Sequence, residues 1–141
     1  MPSNLFPFGV RLTDPQDIAL NSSAFLASGL NQAGGTIPAN QITGGAYVFT
    51  FNINASPGTL TTRTAAQLYA DDPTSYPGKQ YILRIGNSGA GTATLASGTG
   101  VSIVGTATVA TATFRDFLVQ IGGTAAAPTY TITNIGLGTY S

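Results

Sequence analysis

Between Tyr81 and Ile135 the chain is cut into short runs of Val, Ile, Phe, Tyr and Thr by Gly-rich turns, most densely across Gly98-Thr-Gly-Val-Ser-Ile-Val-Gly-Thr-Ala-Thr-Val-Ala110. Runs of about four to eight β-branched and aromatic residues bounded by glycine read as short strands. Turn signals this frequent leave no room for a long helix. The expected fold class is therefore all-β: a two-sheet antiparallel β-sandwich, jelly-roll-like, with one short helix and an extended N-terminal arm.

The first strand with a clear period is Ala46 to Asn54, where Tyr47, Phe49, Phe51 and Ile53 alternate with Thr50, Asn52 and Asn54. Pro57-Gly58 turns the chain, and Thr64-Ala-Ala-Gln67 has the spacing of a capping box. The helix it opens puts Ala65, Leu68 and Tyr69 on one face and stops before Pro73. Lys79 to Ile85 is the next strand, with Tyr81, Leu83 and Ile85 inward. Asn87-Ser-Gly-Ala-Gly91 reads as a tight hairpin turn, followed by strands at Ala93–Ala96 and Val101–Val104 and a bend or bulge at Gly105 before Thr106–Ala110. Thr111 to Ile121 reads as the longest strand, inward at Phe117, Val119 and Ile121, and Tyr130 to Ile135 as the last, inward at Tyr130 and Ile132.

Residues 1–45 differ in texture from residues 46–141. Pro2, Pro7, Pro15 and Pro38 punctuate them, and residues 31–45 look like an extended linker. Two units follow: an N-terminal arm and linker, 1–45, and a β-sandwich domain, 46–141. Leu5, Phe6, Phe8 and Val10 give the arm an apolar patch, which either orders against a neighbour or wraps the arm's own sandwich.

Charge decides how such a domain lives. Charged residues make up 7% of the 141-residue chain, with five basic and five acidic side chains and net charge zero; ordinary soluble proteins carry about 25%. Free monomers generally keep a net charge and guard strand edges with lysine, and this chain has a single lysine, Lys79. A surface covered by partners is the expectation. Without a basic stripe, nucleic acid is not expected as a partner. No apolar run approaches the ~20 residues that span a bilayer, so no membrane is expected either. The first residues lack the basic and apolar regions of a secretory signal, which leads us to expect a cytoplasmic origin.

The residues that could carry chemistry are few. Histidine and cysteine are absent, which removes the imidazole base, the thiol nucleophile and their metal ligation. Asp71-Asp72 is the one adjacent carboxylate pair, better suited to capping and turn roles than to flanking a glycosidic bond. Asp14 and Asp17 lack the dense oxygen loop that calcium requires. The Gly-rich segments carry no P-loop lysine. We expect no enzyme and no cofactor. Tyr47, Tyr81 and Tyr130 read as core, and Tyr76 and Tyr140 as freer, with Tyr140 a possible interface anchor. Arg84 and Asp116 fall opposite their strands' apolar stripes, either as an ion pair or, more plainly, as two solvated charges.

Tyr81-Ile-Leu-Arg-Ile-Gly-Asn-Ser-Gly-Ala-Gly-Thr, then Leu95 to Ala110, then Phe114-Arg-Asp-Phe-Leu-Val-Gln-Ile121 with Tyr130-Thr-Ile-Thr-Asn134, resemble small virion proteins of tailed bacteriophages. The likeness spans about residues 46–135 and rests on Gly, Thr and Val rather than on functional side chains; the N-terminal arm departs from it. It implies a β-sandwich that acts as a homotrimer, a head decoration (cement) protein bound to the major capsid protein on the virion surface and assembled in the host cytoplasm. A fibre or spike module that binds a receptor or glycan is the alternative. Leu5, Phe6, Phe8, Val10 and Tyr140 are the interface residues this reading nominates.

Overall fold

A computed structural model of the protein describes residues 30–31, 34–39, 42, 49–52 and 57–139. Among the described residues, ten strands and one helix follow in order: β1 (Leu30–Asn31), β2 (Gly35–Thr36), β3 (Phe49–Asn52), β4 (Gly58–Thr61), α1 (Ala65–Asp71), β5 (Gln80–Asn87), β6 (Ala93–Ala96), β7 (Val101–Val104), β8 (Thr108–Val109), β9 (Thr113–Gly123) and β10 (Pro128–Thr139). They form a six-stranded sheet, β1-β3-β5-β9-β10-β7, and a four-stranded sheet, β2-β4-β6-β8. Two sheets with one apolar layer between them make the molecule a β-sandwich.

The chain changes sheet at every step from β1 to β9, so odd strands build one sheet and even strands the other. Most neighbours within a sheet are then separated by an excursion through the opposite sheet, and five of the pairs run parallel: β1 with β3, β3 with β5, β2 with β4, β4 with β6, and β7 with β10. Antiparallel pairing is confined to β5–β9, β9–β10 and β6–β8. The expectation of antiparallel sheets is thus corrected, since among the described residues parallel pairs are the majority. The connectivity is successive winding between two sheets, closer to a solenoid than to the Greek keys of a jelly roll.

The same winding corrects Asn87–Gly91. It is not a hairpin turn, because β5 and β6 lie in different sheets. Asn87 holds the arch from within: its Nδ2 donates to Gly91 O at 2.6 Å and Val109 O at 3.0 Å, while Gly89 N–H donates to Asn87 Oδ1 at 3.0 Å. The true hairpin between sequential strands is β9–β10, closed by reciprocal backbone bonds between Thr124 and Ala127. β10 also proves longer than β9, at 12 residues against 11, because it continues past Ile135 to Thr139.

The core is the pattern the alternation requires. Tyr81, Leu83 and Ile85 of β5, Phe117, Val119 and Ile121 of β9, and Tyr130 and Ile132 of β10 are buried against Leu60, Ala93, Leu95 and Val109 of the smaller sheet. Period-two spacing on each strand sends these residues to one face. Residues 31–45, read as a linker, also contribute to the sandwich: β1 and β2 are paired, and Ile37 and Ile42 are in the core. Strands of two residues leave no period to detect. The side chains of β3 and residues 1–29 lie outside the described residues.

α1 forms where the capping box places it. Gln67 N–H donates to Thr64 Oγ1 at 3.2 Å, and Thr64 N–H donates to Gln67 Oε1 at 3.1 Å. Ala65 and Leu68 are buried, with Tyr69 packed at the margin. Gly105 makes the expected bend after β7, with a φ of 86° that favours glycine.

Candidate functional site

Charge is the sparsest resource of this chain, and the fold spends all that is described of it internally. Arg63 Nε and Nη2 donate to the two oxygens of Asp71 at 2.8 and 3.1 Å, across the base of α1. Asp72, at the helix C-cap, accepts from Thr74 N–H at 2.8 Å, Thr74 Oγ1 at 2.6 Å and Lys79 Nζ at 2.7 Å. Arg84 and Asp116 stand directly opposite on β5 and β9 and form a two-bond fork at 2.7 and 2.8 Å. Arg115 Nε donates to Thr108 O at 2.8 Å. Every charged side chain among the described residues therefore has a partner within the chain.

Asp71 and Asp72 do not converge on a shared point, and each serves a different cation. Burial would raise the Asp72 carboxyl, but the hydrogen bonds from Lys79 and Thr74 and the Lys79 charge outweigh it and hold the group below its ordinary value. Tyr81 is buried, and its Oη donates to Ile42 O at 2.6 Å, tying the segment before β3 to the core. Burial, then the nearby Tyr130 and Asp72, push its phenol well up. Burial also dominates at Tyr130; Ser75 offsets part of it, Asp72, Tyr69 and Asp71 add to it, and the phenol stands at about 12. The Ser75 hydroxyl lies near this phenol without a well-formed hydrogen bond. The cluster beneath α1 is a buried polar brace.

Among the described residues, no group of three or more carboxylates that could hold a metal occurs, and no helix is long and apolar enough to cross a membrane. Asp14, Asp17, Tyr47 and the nominated interface residues Leu5, Phe6, Phe8, Val10 and Tyr140 lie outside the described residues. Tyr76, on the loop between α1 and β5, is 58% exposed.

A surface feature not anticipated from the sequence sits at the far end of β10. Ile135 and Leu137 are 54% and 59% exposed, and Val104 at the end of β7 is 48% exposed. Ending the last strand at Ile135 hid it; the signal was the continued alternation of Ile135 and Leu137 with Gly136 and Gly138. Exposed aliphatics around a neutral strand end are suited to apolar and main-chain contact rather than to polar recognition. No protein-family model, curated protein or solved structure matches the chain.

Proposed function

We propose that this chain is a structural virion protein, a decoration (cement) protein that binds the major capsid protein as a homotrimer and stabilises a bacteriophage head. Beside the sequence resemblance, one observation carries the reading: every described charged side chain is tied up inside the fold. A surface whose few charges already have partners has little long-range electrostatic steering to offer. It suits persistent apolar and hydrogen-bonded contact repeated across a lattice. Attachment of this kind is weakly salt-dependent. In this reading Leu5, Phe6, Phe8 and Val10 grip the shell and Tyr140 anchors an interface, so deletion of residues 1–12 weakens attachment and leaves the sandwich folded.

The fibre or spike reading draws on Tyr76, a loop aromatic of the kind that stacks on sugars. Copy number separates the two. Purified particles carrying the protein in a fixed large ratio to the major shell protein, and losing heat resistance when it is stripped, support decoration. A few dozen copies or fewer, as expected for special symmetry positions, support the fibre or spike. Absence from particles overturns both.

A further inference from the structure

The turn between α1 and β5 is pinned against the larger sheet. Ser75 N–H donates to Asp72 O at 3.0 Å, Gly78 N–H to Ile121 O at 2.6 Å, and Ile121 N–H to Lys79 O at 2.9 Å. Ile121 stands in register with Tyr130 on β10, and Tyr130 N–H donates to Gly100 O at 3.1 Å. Main-chain bonds thus fix both Ser75 and Tyr130 where the turn meets β10. Tyr130 is 1% exposed, and its Oη and the Ser75 Oγ are both buried without a hydrogen-bond partner in the chain. They are the only such side-chain atoms among the described residues, whereas the charged groups of the brace beside them are bonded.

Buried polar groups find partners, in the chain or in ordered water. Each of the two hydroxyls carries one proton to donate, and they lie near each other. A direct bond between them would use one proton and leave the other buried with no acceptor, which is costly. An oxygen that accepts from both removes the deficit. Charge restricts what can bring that oxygen. An anion would enter beside the Asp71 and Asp72 carboxylates, whose charges already act on the Tyr130 phenol. A cation would meet the Lys79 ammonium, 2.7 Å from Asp72 Oδ2, and two neutral hydroxyls in place of carboxylates. What fits is small, neutral and able to accept two hydrogen bonds, and water meets all three conditions.

We infer that a single internal water binds at Ser75 Oγ and Tyr130 Oη, accepts from both, and forms part of the brace that joins the turn after α1 to β10. Relaxation dispersion of oxygen-17-enriched water, measured on the full chain, tests it, because that signal reports long-lived internal waters and is blind to exchanging hydroxyl protons. A Ser75→Ala/Tyr130→Phe variant loses the amplitude of a single such water, and Tyr76→Phe, which removes an exposed hydroxyl, loses none. A crystal structure of the full chain carries the test should the double variant fail to fold: a density peak within hydrogen-bonding distance of both oxygens supports the inference. An unchanged amplitude in the double variant overturns it, as does a crystal structure with no such peak.

Discussion

Arg84 and Asp116 face each other across β5 and β9 in a two-bond fork, and the Arg84 guanidinium lies 4.0 Å above the Phe114 ring. The pair ties the two central strands of the larger sheet on the face away from the core. It is partly solvated, with side-chain exposures of 38% and 23%, so its value is that of a cross-strand pair, roughly 0.2–1 kcal/mol of coupling. A double-mutant cycle of Arg84→Ala and Asp116→Ala in urea unfolding measures it. Arg84→Lys recovers only part, since lysine lacks the planar fork that serves carboxylate and ring together.

Phe114 extends this stack to β10. Gly138 is its register partner, and a Cβ there would run into the Phe114 ring. The ring tip can swing aside, but only by leaving the space beneath Arg84. Gly138→Ala is therefore expected to cost about 1 kcal/mol and to reduce the Arg84–Asp116 coupling when the cycle is repeated in that background.

Gly98 allows no such adjustment. A Cβ at this position would lie 2.5 Å from Thr62 O and 2.7 Å from Arg63 O, both main-chain atoms just before α1, while Gly98 N–H donates to Thr62 Oγ1 at 2.8 Å. Overpacking against backbone costs about 1–3 kcal/mol or more. Gly98→Ala should lower the unfolding midpoint more than Gly138→Ala does, and an equal effect would mean that the Thr62–Gly98 approach is looser than described.

These glycines mark what was legible in the sequence and what was not. Alternation at Tyr81/Leu83/Ile85 and Phe117/Val119/Ile121 identifies inward faces directly, because burial on one face is a local property of a strand. The capping box at Thr64 and Gln67 is equally local. Which sheet a strand joins is decided by whether the following turn folds the chain back beside itself or across the core, and Asn87–Gly91 has the glycine content of either. The arch is chosen by Asn87, whose buried amide binds Gly91 and the distant Val109, a contact invisible in a short window. Ile135 and Leu137 are exposed although their alternation continues that of the core strand, because alternation assigns a face and not whether that face is covered.

The brace beneath α1 sets the response to acid. Asp72 is buried and its folded pKa lies below the ordinary 3.8. A depressed carboxyl contributes stability that is complete above the unfolded value and is lost as pH falls through the folded one. Unfolding midpoints should hold above pH 3.8 and decline below it as Lys79 and Thr74 lose their acceptor. Asp72→Asn should cost about 1–3 kcal/mol at neutral pH and flatten that acid decline.

At the alkaline end the same brace works with opposite sign. The Tyr130 phenol is raised from 10.0 to about 12, chiefly by burial, and Tyr81 beside it is raised as well. The unfolded chain releases these protons from about pH 10.0 upward while the folded chain holds them to about 12. Stability is therefore complete below pH 10 and lost through the interval up to about 12, by about 3 kcal/mol for a two-unit shift. Urea midpoints measured across that interval should fall, and Tyr130→Phe should shrink the fall while leaving the part due to Tyr81. An unchanged alkaline slope in Tyr130→Phe would place the titrating group elsewhere.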